Sequence, residues 1–241
     1  ERKLKRWGHM AKTFTKIGKE ITIAVKQGGP DVVGNSRLRA LMAEARSENM
    51  PKDNVEKAIK RALEKNQGDF KEVVFEGYGP HGIAYLVETA TDNNTRTVAN
   101  VRSYFTKCGG SLGTSGSVSF MFDHKCVFRI KYQEGMDIDE LQLALCECDD
   151  DPEVFIEEQE DKDENITKNV VIYGAYESYG AIQKYIEDNG YELVSGGFER
   201  IPNVDLKDVT PEQRETLDKL TGLLEDDDDV TNVYSTLKPE E

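Results

Sequence analysis

Up to about residue 63 the apolar residues recur every three or four positions, and beyond Gly68-Asp69 they come in short runs bounded by turn residues. The first period buries one side of a helix and the second suits strands alternating with helices, so the 241-residue chain divides into a helical amino-terminal part and a mixed body. That length predicts two or three domains.

In the helical part, Phe14, Ile17, Ile21, Ala24 and Val25 share one side of a helix over about 12–27, and Lys12, Lys16, Lys19 and Lys26 share the other. Gly28-Gly29-Pro30 stops it. A second helix over 36–48 buries Leu38, Leu41, Met42 and Ala45, with Asn35 as its N-cap. Asn49 ends that helix and Pro51 pre-sets the start of a third. There Val55, Ala58, Ile59, Ala62 and Leu63 face inward, with Lys57, Lys60 and Arg61 opposite, among Asp53 and Glu64. Three amphipathic helices around one small core are expected.

In the body, 82–90 reads as a buried strand, 93–110 as a helix closed by Gly109-Gly110, and 116–122 as another strand. Then follow strand 126–131, helix 137–147, strands 153–158 and 168–173, helix 176–189 and strand 191–200. That order, βαββαβ, is the ferredoxin-like pattern. A last helix, with Thr210 as cap and Pro211 in its first turn, leads to a strand at 230–235. The leftover helix and strand complete the unit begun at 83–122. The expected architecture is therefore α+β and multidomain. It has a basic three-helix domain at 1–75, an α+β domain made of 76–124 plus 206–241, and a ferredoxin-like domain inserted at 125–205.

Charge follows the same division. The chain carries 31 Lys+Arg against 46 Asp+Glu, a net −15, but residues 1–70 hold 16 Lys+Arg against 9 Asp+Glu, a net +7. The remainder carries 15 − 37 = −22. A uniformly acidic protein repels a polyanion, whereas a dipolar one presents an attractive end. The residues expected to meet phosphate are Lys3, Lys5, Arg6, Lys12, Lys16, Lys19, Lys26, Lys52, Lys57, Lys60 and Arg61. Six to ten such contacts would cost roughly 10³–10⁵ in affinity between 50 and 200 mM salt. The turn at 47–53 has helix-turn-helix length, with Lys52, Asn54 and Lys57 near the front of the following helix, but the signal supports phosphate contact and not base reading.

Other chemistry finds little support. The glycines of "GYGPHG" precede a strand instead of opening a helix, so they read as a tight turn between domains and not as a phosphate grip. "GGSLGTSG" reads as a loop suited to RNA or protein contact. Asp226–Asp229 and Asp149–Asp151 lack the alternate-ligand spacing of a calcium loop and read as solvated. Cys108, Cys126, Cys146 and Cys148 show no zinc or disulfide spacing, which fits free thiols in a reducing cytoplasm. No metal, cofactor or catalytic residue is expected. No apolar run approaches the ~20 residues of a membrane span, and the opening "ERKLKRWGHM" holds no signal-peptide core.

Three stretches, "GNSRLRALMAEARSENMPKDNVEKAIKRA", "FEGYGPHGIAYLVETATDNNTRTVANVRSYFTKCGGSLGTSGSVSFMF" and "LLEDDDDVTNVYS", closely resemble the YebC family. That family includes the PmpR-type regulators and the mitochondrial translational activator of cytochrome oxidase. The resemblance implies the three domains read above and a non-enzymatic regulator of gene expression. It implies a DNA-binding transcriptional regulator or, alternatively, a ribosome- or RNA-associated translation factor. The expected partner is thus nucleic acid, DNA or ribosomal RNA, with the ribosome or other proteins beside it. A protein-binding adaptor using the ferredoxin-like sheet is the third reading.

Overall fold

The computed structural model describes residues 2–64, 69–160 and 166–240, with side chains at 10–64, 69–158 and 166–240. Helices α1 (Arg2–Gly28), α2 (Ser36–Ser47) and α3 (Lys52–Leu63) come first. Then follow β1 (Lys71–Tyr78), β2 (Ala84–Thr91), α4 (Asn94–Lys107), β3 (Ser111–Leu112) and β4 (Phe122–Lys131). After α5 (Ile138–Leu145), β5 (Glu153–Glu160), β6 (Ile166–Ala175), α6 (Tyr179–Asp188) and β7 (Leu193–Pro202), the chain closes with α7 (Pro211–Glu225) and β8 (Val230–Ser235). The fold is α+β, as the two periods predict. The chain gathers into two compact units, one of Glu1–Ile23, Glu64–Asp123 and Arg200–Glu241, the other of Ala24–Leu63 and His124–Glu199.

In the first unit the sheet order is β3-β1-β2-β8. Strand β2 is central and buried on both faces, which is why it reads as an unbroken apolar run. Ile83, Tyr85 and Val87 pack with Val101 and Phe105 of α4 and Leu217, Leu220 and Leu224 of α7. Ala84 and Leu86 pack with Val118 and Phe122 on the other face. Thr210 caps α7 through a reciprocal capping box with Gln213, and Pro211 fills the first turn, both as predicted.

The second unit contains the sheet β5-β6-β4-β7. Its first and third strands in chain order, β4 and β6, are central, the arrangement of a ferredoxin-like fold, and α5 and α6 cover one face. Phe128, Ile130, Ile172, Leu145, Ile182 and Ile186 are fully buried there. This βαββαβ cycle lies in the chain between β3 and α7, so it is an insertion into the other sheet's sequence.

The short helices owe their ends to two asparagines. Asn35 Oδ1 accepts from Leu38 N at 3.0 Å to cap α2, while its Nδ2 donates to the carbonyls of Ala24 and Gly29, both at 2.9 Å, and so also closes α1. Asn49, at φ 57, ends α2 in the left-handed conformation, with Met50 N bonded to Ala45 O and Asn49 N to Arg46 O. Helix α1 starts at Arg2 and not Lys12, because residues 2–11 are mostly strong helix formers that need no apolar period to extend it.

Three expectations are corrected. The segment Lys71–Tyr78 is a strand, unread in the sequence because Lys71, Glu72, Glu76 and Gly77 interrupt its apolar residues. Gly77 is required there, since a Cβ would lie 2.7 Å from the Ser111 carbonyl oxygen and 3.0 Å from the Phe105 ring. The "GYGPHG" turn joins β1 to β2 within one sheet, with His81 and Gly82 at positive φ, and does not separate domains. Residues 116–121 form a loop and a 3-10 turn (Ser119–Met121) instead of a strand. The cause is Glu76, 5% exposed, whose carboxylate accepts the amides of Gly116 at 2.7 Å and of Val118 and Ser119 at 2.8 Å, donors that a strand would need for its ladder.

Burial works to raise the Glu76 pKa, but those amide bonds outweigh it and hold the carboxyl below its ordinary 4.5. A carboxyl whose folded pKa is depressed stabilises fully above its unfolded pKa and loses that contribution as pH falls through the folded value. Glu76→Gln is therefore expected to be about 1–3 kcal/mol less stable at pH 7. The gap to the unsubstituted chain should narrow below about pH 4.5, as measured by urea unfolding across that range.

Candidate nucleic-acid interface

Lys12, Lys16 and Lys19 stand on one side of α1, opposite the buried Ile17, Ile21 and Ala24, as their spacing requires. Their ammonium groups meet the turn that follows α7. Lys12 Nζ lies 2.5 Å from Asp226 Oδ1, and Lys16 Nζ is 3.4 Å from the Glu225 carbonyl. Lys19 Nζ reaches Asp228 O at 2.6 Å, Asp229 Oδ1 at 3.0 Å and Ala90 O at 3.2 Å. The carboxyl end of α7 already carries the negative pole of the helix, and the aspartates add to it. Burial pulls the Lys16 pKa down, with the Glu225 charge opposing.

Asp229 anchors this turn. Its side chain is 6% exposed, and Oδ2 accepts from Arg96 Nη2 at 2.7 Å, Arg96 Nε at 3.2 Å and Thr97 Oγ1 at 2.9 Å while Lys19 binds Oδ1. Burial raises its pKa, but the bonds from Arg96, Lys19 and Thr97 prevail and keep the carboxyl below the usual carboxylate value. Asp227 Oδ2 accepts from Tyr104 OH at 2.9 Å and Asn100 Nδ2 at 3.2 Å. The Tyr104 hydroxyl is pushed up to about 12 by burial and by that carboxylate. Within the run Asp226–Asp229, Asp229 is thus buried and Asp227 half-buried, while Asp226 and Asp228 stay exposed. Asp149 is not solvated either, being buried and accepting from Ala175 N at 2.8 Å.

The other nominated cations sit differently. Lys26, Lys52, Lys57 and Lys60 are exposed and Arg61 is half-buried. On α3 the exposed lysines lie opposite the buried Val55 and Ala58, and Lys52 approaches Glu56 at 3.9 Å. The side chains of Lys3, Lys5 and Arg6 lie outside the described residues. The structure therefore brings Lys12, Lys16 and Lys19 together on an acidic turn, and leaves Lys52, Lys57 and Lys60 in solvent on one helix.

Sequence reasoning missed the tether of α2. Arg39 forms a bidentate pair with Glu187 of α6, at 2.8 and 3.1 Å, and donates to the carbonyls of Val32 and Val33. Gln183 Nε2 adds a bond to Ser36 O at 3.0 Å. These partners lie far apart in the chain, and no local pattern announces them.

Among the described residues no group of three or more His, Cys, Asp or Glu is placed to hold a metal ion, and no helix is long and apolar enough to cross a membrane. Family models described as the TACO1/YebC protein N-terminal domain and the TACO1/YebC second and third domain match residues 1–65 and 70–237. The chain belongs to the TACO1/YebC family. It is 58% identical over 240 residues, all of this chain and 94% of the relative, to a protein of Parabacteroides distasonis named "Probable transcriptional regulatory protein". A protein of the same name from Flavobacterium johnsoniae is 54% identical over 99% of this chain and 96% of its own length. The crystal structure of the conserved hypothetical protein Aq1575 from Aquifex aeolicus superposes with a TM-score of 0.77 at 33% identity, over 96% of this chain and 91% of that one. The Parabacteroides and Flavobacterium relatives carry a regulatory and not a catalytic name.

The buried and exposed members of the acidic turn separate in a stability measurement. Asp229→Ala, which strands Lys19 and Arg96, is expected to lower unfolding free energy by about 3–5 kcal/mol. Asp226→Asn, whose side chain is 75% exposed, should change it by no more than about 1 kcal/mol.

Proposed function

We propose that this chain is a non-enzymatic regulator of gene expression that binds nucleic acid, acting as a DNA-binding transcriptional regulator in the reducing cytoplasm. The observation that carries the reading is the exposed cationic side of α3, where Lys52, Lys57 and Lys60 face solvent across from Val55 and Ala58. Lysine ammonium groups on an exposed helix are suited to phosphate oxygens and carry no base code, so this surface positions the polymer and does not read its sequence. The regulatory names of the relatives support the reading.

The α1 lysines enter this account differently from the α3 lysines. With Lys12, Lys16 and Lys19 engaged by Asp226, Glu225, Asp228 and Asp229, the working contacts reduce to the exposed α3 lysines Lys52, Lys57 and Lys60. Three phosphates imply an affinity loss of roughly 40-fold between 50 and 200 mM salt, shallower than a full set of lysines would give. So few cations on a chain of net −15 also favour docking by one end over wrapping a long duplex. That is the specific support for the alternative polymer, a folded ribosomal RNA, and a role in translation.

The test is fluorescence anisotropy of the full chain with a 20-base-pair duplex and with a ribosomal RNA hairpin, from 50 to 200 mM salt. Lys57→Glu with Lys60→Glu should weaken binding at least tenfold and flatten the salt dependence, while Lys12→Gln should change affinity less than twofold. Unchanged binding in the α3 double variant would falsify the assignment. The polymer bound more tightly decides between transcription and translation.

A further inference from the structure

The three lysines of α1 that meet the turn after α7 are graded from buried to exposed. Lys19 lies deepest, its ammonium shared by two backbone carbonyls and the buried Asp229 carboxylate. Lys16, about one turn nearer the amino terminus, is half-buried and reaches the Glu225 carbonyl at 3.4 Å. Lys12, a further turn along, ends the series at the surface in its pair with Asp226, where the two side chains are 37% and 75% exposed.

The surface these groups make is acidic in spite of its lysines. Glu225, Asp226 and Asp228 are all exposed, and the charge of each acts on the Lys16 ammonium. Three carboxylates thus stand against the ammonium groups of Lys12 and Lys16. They do so at the carboxyl end of α7, whose backbone adds its negative pole. A polyanion approaching this part of α1 meets repulsion at the very residues that a charge count assigns to it.

The two ends of the series differ in what it costs to open them. Taking Lys19 from Asp229 would strand a carboxylate that is 6% exposed, so that contact holds the helix in place. The Lys12–Asp226 pair is solvated, contributes little to stability and is screened by salt. Either ion can exchange its partner for water or for another ion at small cost. What favours Asp226 over a phosphate is tethering. Lys12 and Asp226 belong to the same compact unit, so the carboxylate is presented at an effective concentration that a diffusing polymer does not reach. It occupies the position at the ammonium that a phosphate oxygen would take.

We propose that the acidic turn at Asp226–Asp228 is an intramolecular stand-in for phosphate, an autoinhibitory contact that withholds Lys12 and Lys16 from nucleic acid. The proposal rests on the reading of the chain as a nucleic-acid-binding protein and adds regulation to it, but it uses none of the α3 lysines. With the turn in place, α3 supplies the phosphate contacts. Neutralising the turn adds a contact at α1, while Lys19 and Asp229 keep the helix docked. The device makes the cationic end of the chain less adhesive to any passing polyanion than its composition implies.

The experiment is a double-mutant cycle on the full chain, read by anisotropy with the same duplex and RNA hairpin from 50 to 200 mM salt. Asp226→Asn is expected to tighten binding about two- to fivefold, the worth of one exposed ion pair. It should also steepen the salt dependence by about one phosphate, a slope change of about 0.9. Lys12→Gln, close to neutral by itself, should abolish that gain when combined with Asp226→Asn. Glu215→Gln removes an exposed carboxylate from the middle of the same α7 and controls for net charge. No gain in Asp226→Asn, a gain that survives Lys12→Gln, or an equal gain in Glu215→Gln overturns the proposal. A second readout needs no polymer. Limited acetylation by acetic anhydride, followed by peptide mass spectrometry, should label Lys12 faster relative to Lys52 in Asp226→Asn than in the unsubstituted chain, and equal labelling overturns the contact. If Lys57→Glu with Lys60→Glu weakens binding while Asp226→Asn changes nothing, the autoinhibition falls and the α3 surface stands. If the gain in Asp226→Asn persists in the α3 double variant, the α1 contact stands by itself.

Discussion

The carboxylate of Asp229 is placed where water cannot solvate it, and much of the first unit is arranged around that fact. A buried carboxylate is tolerable only when hydrogen-bonded and paired with opposite charge. Here Arg96 and Thr97 come from α4 and Lys19 from α1, so one side chain on the turn between α7 and β8 joins three helices. Asp227 and Asp226 extend the junction to Tyr104 and Lys12. The acidic run that ends α7 is thus a docking element, and its partners are the basic residues that a charge count assigns to a ligand.

This changes the meaning of the charge asymmetry without removing it. The amino-terminal 70 residues do hold a net +7. Part of that charge is compensated inside the fold, by the α7 turn for α1 and by Glu187 for Arg39. What remains at the surface is smaller and more local, chiefly the α3 lysines. A large formal charge is a statement about long-range attraction, whereas contact with a phosphate needs a cation that no carboxylate already holds.

Glu76 plays a comparable part at the other end of the same sheet. Its carboxylate is held by three backbone amides, each donor pointing at a fixed oxygen. The price is a segment, 116–121, that gives up strand pairing. The return is a loop of defined shape that holds a glycine-rich tip and an aromatic ring in solvent.

Much of the fold was legible in the residues. The 3.6-residue stripe of α1, the Asn35 and Thr210 caps, the Asn49 and Gly109 helix ends and the βαββαβ cycle follow from local chemistry that acts within a few positions. Strand β1 was not legible, because its Glu76 and Gly77 are chosen for partners at Gly116 and Ser111 instead of for an apolar pattern. Nor were the candidate contacts fully legible. The sequence by itself determined which side of each helix carries lysine, since periodicity decides that; only the tertiary structure decided which of those lysines meets solvent. Lys19 and Asp229 are 210 positions apart, and the pairing of distant charges depends on packing that no local window contains.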